Sequence, residues 1–196
     1  MTRIVQFIAT DSPVDRLGQI LESRLWVKNH LRKTFTVNEA KFRDFNGYWN
    51  ALSDYWTEDE DLICIEQDML PLERHIQGLM DCPADFCTVP YDLGDGRLSI
   101  FEIHEGLKDA TGPTGDVGFD VPRISNHTRR VTNSTGSGLG LVKFSKRAKT
   151  LINLDDYPVP QRHWSLIDLW ISKSMDMIHE RWHVHYPEVG HLHFRY

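Results

Sequence analysis

The apolar run Leu62-Ile63-Cys64-Ile65 passes directly into Glu66-Gln67-Asp68, and no other feature constrains the fold of this chain as much. Successive side chains of a strand point to opposite faces, so a run with no polar position has to be covered on both sides. Ile4 to Ala9 is a second run of this kind, bounded by Thr10-Asp11-Ser12-Pro13. Helices flanking a mainly parallel sheet provide two-sided cover, and the intervening stretches read as helices. Leu17, Ile20, Leu21, Leu25 and Leu31 recur near helical spacing between residues 15 and 32, and Trp49, Leu52, Tyr55 and Trp56 share a face between 42 and 56. Residues 85–89, 98–103 and 139–144 have strand character, and 164–178 is the clearest amphipathic helix. The expected class is α/β, a mainly parallel Rossmann-type sheet flanked by helices.

At 196 residues the chain fits one domain, 1–196. Between 112 and 140 its character changes: six glycines alternate with Asn126, Asn133, Ser134, Thr135 and Ser137, the composition of a mobile binding loop. Charge is unevenly spread, with 17 acidic against 3 basic residues in 51–120 and 7 basic against 2 acidic in 121–160. The net charge of -6 gives no general pull toward nucleic acid, although Lys143, Lys146, Arg147 and Lys149 offer a local basic segment. The acidic run 58–61 reads as a solvated turn. No apolar stretch is long enough for a membrane helix or a signal peptide. Cys64, Cys82 and Cys87 lack C-x-x-C spacing, so neither a disulfide framework nor a cysteine zinc site is expected, and a cytoplasmic setting fits.

Three patterns bear on chemistry. Glu66-Gln67-Asp68 places two acids at the end of a buried strand, where hard oxygens can meet a divalent cation and where ligands of parallel sheets bind. Five of the ten histidines, 179, 183, 185, 191 and 193, lie within fifteen residues. Strand geometry lets His183 and His185 converge on one point, and likewise His191 and His193, with Pro187 and Gly190 supplying a turn between the pairs. His179-Glu180-Arg181-Trp182-His183 also satisfies the zinc-peptidase pattern H-E-x-x-H, but only thirteen residues follow it and Tyr186 replaces the glycine of the longer metzincin form.

In order of elements, most of the chain resembles the GT-A class of nucleotide-sugar glycosyltransferases, including compact enzymes of bacterial viruses. The carriers are a first strand ending in Ala9-Thr10-Asp11, a buried strand ending in an acidic triplet, a glycine-rich loop, Trp164 and Asp168 opening a late helix, and a terminal histidine. The resemblance implies that Glu66 and Asp68, with His191 and His193, hold a divalent cation, Mn2+ or Mg2+, with Glu66 where the family usually has Asp. It implies that Thr10, Asp11 and Gln67 bind a UDP-sugar donor, helped by Arg129, Arg130, Lys143, His183 and His185 at its phosphates. Trp164 would then meet the acceptor, and Asp168, kept ionised by the helix N-terminus, would take the acceptor proton. The acceptor is a hydroxyl, one candidate being a hydroxymethylated pyrimidine in DNA. A zinc hydrolase using His179, Glu180 and His183, and a non-catalytic nucleotide-binding module, are the alternatives.

Overall fold

The computed structural model describes residues 1–11, 14–92, 99–101, 136–156, 164–177, 183–185 and 190–191. Strands β1 (Thr2–Ala9), β2 (Val37–Phe42) and β3 (Asp61–Ile65) alternate with helices α1 (Val14–His30) and α2 (Phe45–Trp56). A two-residue strand β4 (Met69–Leu70), helix α3 (Glu73–Asp81) and strand β5 (Phe86–Thr88) follow. Short strands β6 (Ile100–Phe101) and β7 (Gly136–Ser137) pair with each other, and then come β8 (Leu141–Phe144), α4 (Lys146–Leu151), α5 (Trp164–Met177), β9 (His183–Val184) and β10 (Gly190–His191).

Six strands form the main sheet in the order β2-β1-β3-β8-β5-β9. Five run in one direction, and β8 alone is antiparallel to both of its neighbours. The α/β class with a mainly parallel, helix-flanked sheet is thus the observed one. Strand β3 shows why the run 62–65 has no polar position: Leu62 and Cys64 face one hydrophobic cluster and Ile63 and Ile65 the other. Tyr48, Trp49, Leu52 and Trp56 of α2 and Ile167, Ile171 and Met175 of α5 belong to the first cluster. Val27 of α1 and Ile76 and Leu79 of α3 belong to the second.

Several local readings change. Residues 37–42 are a strand, and α2 starts only at Phe45, where the Asp44 carboxylate accepts from the Gly47 amide at 2.8 Å and satisfies a free helix donor. In α1 the buried line is Ile20, Ser23 and Val27, while Leu17, Leu21 and Leu25 are exposed. Ser23 is tolerated in that line because Gln6 Nε2 donates to its Oγ, which in turn donates to the Met69 carbonyl at 2.7 Å. Most of the glycine-rich segment lies outside the described residues, but 136–140 is packed: Leu139 is fully buried, and a Cβ on Gly140 would stand 2.4 Å from the Tyr91 ring. Close approach of Tyr91, not mobility, explains glycine there. Among the described residues, no helix is long and apolar enough to cross a membrane.

Candidate functional site

The parallel strands β1 and β3 both end at one edge of the sheet, and there the chain turns sharply. The Met69 amide bonds back to the Glu66 carbonyl at 3.2 Å, so Glu66-Gln67-Asp68 is the tight turn between β3 and β4. Two further bonds hold it. The Glu66 amide donates to the Gly140 carbonyl at 2.8 Å, and the Ala9 amide donates to Gln67 Oε1 at 2.8 Å. Gln67 therefore fastens the end of β1 to the end of β3, a structural duty that occupies its oxygen.

Glu66, Gln67 and Asp68 line a cavity of about 290 Å³ together with Ile167 and Asp168 of α5 and an aromatic group of Phe7, Phe42 and Tyr48. The Tyr48 ring is packed 5.3 Å from Phe7 and 5.2 Å from Phe42, centroid to centroid, which makes the aromatic side rigid. The cavity lies near the small end of ligand sites, which run to roughly 300–1,000 Å³.

Two of the three carboxyls that line this pocket are held away from their ordinary range. Burial pushes the Glu66 carboxyl well above its ordinary range, and the charges of Asp168 and Asp68 add to that. Burial also raises Asp168 to about 7, against the pull of a bond from the Leu139 backbone. The expectation that the helix N-terminus keeps Asp168 strongly ionised is thereby corrected: it is the fifth residue of α5, and loss of hydration outweighs the helix dipole. Tyr91, buried behind the Gly138–Gly140 turn, is raised by burial and by the same three acids.

The remaining expected residues are placed differently. His191 is brought to the site by its backbone: β10 pairs antiparallel with β4, with His191 opposite Met69. Thr10 and Asp11 are exposed at the end of β1, beside the pocket rather than lining it, and Thr10 Oγ1 is bonded to the Phe42 carbonyl at 2.9 Å. Trp164 begins α5. Arg129, Arg130 and His193 lie outside the described residues.

Lys143, His183 and His185 are not at the pocket, and their donor-binding role is corrected. Lys143 is buried in mid-strand, its Nζ donating to the Cys82 carbonyl at 2.7 Å and standing 3.7 Å from Asp61, at the opposite end of β3 from the acidic turn. The rest of that basic segment is also engaged: Lys149 donates to the carbonyls of Tyr55 and Glu58, Lys146 pairs with Asp59 and Arg147 with Asp85. It does not form the free basic track expected for a phosphate backbone. The acidic run 58–61 likewise binds these cations and Arg3, so it is more than a solvated turn.

The two histidine pairs part company, because β9 joins the main sheet beside β5 while β10 joins β4. His183 opens β9 and so is not on a helix, as the second histidine of a peptidase zinc site must be, while His179 and Glu180 lie outside the described residues. Instead Cys82, Cys87 and His185 bring one donor atom each within 4.8 Å of one another. Spacing gave no sign of this group, since its members come from the two ends of the α3–β5 connection and from an edge strand about a hundred residues later. The Cys82 thiol is pulled down to about 3, first by a hydrogen bond from Cys87 and then by His185, and Cys87 is pushed up correspondingly.

No protein-family model matches the chain, and no curated protein matches it. Among solved structures, the crystal structure of A197 from STIV is similar, with a TM-score of 0.53 and 15% identity over 98% of this chain and 86% of that one. At that identity the likeness is one of fold.

Proposed function

We propose that this chain is a glycosyltransferase that moves a sugar from a nucleoside-diphosphate sugar, a UDP-sugar first, to a hydroxyl acceptor. One observation carries the reading: the acidic turn at the end of β3 and Asp168 of α5, a hundred residues apart in sequence, line a single pocket at the C-terminal edge of the parallel strands. The acidic turn suits the donor's diphosphate and Asp168 the acceptor hydroxyl, two roles that one pocket has to combine.

The donor set suits a hard divalent cation. Glu66 and Asp68 offer carboxylate oxygens, the preferred ligands of Mg2+ and Mn2+, and a histidine at 191 would favour manganese. Such an ion supplies neutralisation of the departing diphosphate. The chain's own groups do the rest. Asp68 and Glu66 fix the donor's phosphate end at the strand edge, and the apolar side formed by Phe7, Phe42 and Ile167 excludes water that would hydrolyse the donor.

Asp168 acts as base. As the bond from the anomeric carbon to the diphosphate oxygen breaks and the bond to the acceptor oxygen forms, the acceptor hydroxyl proton passes to the Asp168 carboxylate. A carboxyl raised to about 7 is half ionised at neutral pH and a far stronger base than an ordinary aspartate. With the basic residues 143–149 held in internal pairs, a small-molecule or protein hydroxyl is favoured as acceptor over DNA.

The test is a thermal-shift series of nucleotide-sugars with and without manganese, followed by measurement of released nucleoside diphosphate. The reading requires a manganese-dependent rise in melting temperature with at least one donor, lost in Asp68→Ala. A folded chain that shows no shift with any donor, with or without the ion, would overturn it.

A further inference from the structure

We propose that Cys82, Cys87, His183 and His185 form a structural zinc site that fastens the edge strand β9 to the α3–β5 connection. It is independent of the acidic pocket and does not rest on the transferase reading.

Four observations converge. Cys82 and Cys87 are buried thiols, and one donor atom from each lies with one from His185 inside a 4.8 Å group. His185 Nε2 is buried with no hydrogen-bond partner among the described residues, although a buried imidazole nitrogen left unpaired is costly. His183, outside that group of three, has its Nδ1 3.5 Å from Cys82 Sγ. That is also about the edge, roughly 3.5 Å, of a zinc tetrahedron with Zn–S near 2.3 Å and Zn–N near 2.05 Å.

The backbone sets these positions before any ion arrives. His183 is in register with Cys87 across the parallel β5–β9 pair, and the His185 amide continues that ladder to the Thr88 carbonyl at 2.8 Å. Two residues apart on an extended strand, His183 and His185 share a face, the one toward which Cys87 projects. Lys143 Nζ bonds the Cys82 carbonyl at 2.7 Å, placing a buried cation beside the thiols and fixing the Cys82 main chain.

Two sulfurs and two imidazoles are the donor set that selects zinc over the hard ions suited to the acidic turn. With His183 drawn in beside Cys82 as the fourth ligand no position would be left open, so the role is to hold structure. The ion would tie together segments about a hundred residues apart and pin the strand from which the chain runs on to β10 at the acidic turn.

The full chain, freshly reduced, is dialysed against zinc and separately against cobalt, and bound metal is measured by elemental analysis and by the visible spectrum of the cobalt form. The expected result is one equivalent of zinc and a tetrahedral cobalt spectrum with a thiolate-to-cobalt band. That band should be unchanged in Asp68→Ala and lost in Cys87→Ser and in His185→Gln. Wild-type protein that takes up no zinc, or whose cobalt spectrum lacks the thiolate band, overturns the proposal whether or not the variants fold. A Cys82–Cys87 disulfide that withstands reduction would overturn it too.

Discussion

His191 stands opposite Met69 in the antiparallel β10–β4 pair, so the last described strand of the chain lies beside the residue that follows Asp68. This register is the structural basis for giving His191, and not the earlier tail histidines, a part at the acidic turn. His191→Ala is expected to weaken manganese-dependent donor binding by roughly 10–100-fold, the loss typical when a group supporting a metal site is removed. Isothermal titration with UDP-sugar and manganese measures it. Unchanged binding would remove His191 from the site.

Asp68→Ala should lower transfer by roughly 10²-fold or more, since it removes a carboxylate that would hold the cation neutralising the donor's diphosphate, both when the donor binds and when the diphosphate departs. Glu66→Ala should be milder in activity. It should also raise stability at neutral pH, because it relieves burial of a carboxyl already crowded by Asp168 and Asp68. Turnover assays and melting curves on the same preparations separate the two effects, and wild-type turnover in Asp68→Ala would defeat the assignment.

Gly140→Ala probes the wall behind the acidic turn. The added methyl would meet the Tyr91 ring at 2.4 Å and Met69 Cε at 2.9 Å, and both belong to a packed core. Overpacking of this kind costs about 1–3 kcal/mol, and here it should also shift the Glu66 main chain, which bonds the Gly140 carbonyl. Denaturant melts should show the loss, and donor affinity should fall with it. A variant as stable as wild type would show that Tyr91 moves aside freely.

The unbroken apolar strands were legible because only two-sided burial explains them, and from them follow the helix-flanked sheet and the edge where Glu66 and Asp68 sit. Strand β2 was not legible, since Val37-Asn38-Glu39-Ala40-Lys41-Phe42 carries polar positions whose cost is met outside the strand. Glu39, for example, is held by Arg24 and Arg32 at 2.8 and 2.6 Å. The reversed direction of β8 is invisible in a pattern that records burial but not polarity. Lys143 misled for a similar reason: a lysine in a basic segment looks solvent-facing, and nothing local announces the Cys82 carbonyl that receives it. The cysteine-histidine group escaped notice because spacing rules describe ligands from one loop or helix, and these ligands meet only through sheet pairing.

Ser23→Ala tests the buried polar chain linking β1, α1 and β4. It leaves Gln6 Nε2 and the Met69 carbonyl without their shared partner, at an expected cost of about 1–3 kcal/mol. Because the Met69 carbonyl is next to the acidic turn, donor affinity should drop as well. Urea unfolding and donor titration read the two effects, and a stability change below the error of the melts would mean the chain is dispensable.

Asp168 makes the pH behaviour of activity and of stability run in opposite directions. Its folded-state pKa is about 7 against an ordinary 3.8, so the folded protein keeps a proton that the unfolded chain has already lost. The stabilisation that results is fully present below about pH 4 and is lost as pH rises through about 7. Over the same upper range the base becomes ionised, so kcat/KM should climb about tenfold per pH unit below 7 and level off above it. Asp168→Asn should abolish the rising limb of activity and remove its share of the stability loss, leaving the variant more stable than wild type at pH 8 and close to it at pH 4. Added manganese should narrow the gap at pH 8 by favouring ionised acids in the wild-type pocket. Melting curves of both proteins across pH 4–8 decide the matter. A wild-type-minus-variant difference that stays constant with pH would show that Asp168 does not titrate in this window, and the general-base assignment would fall with it.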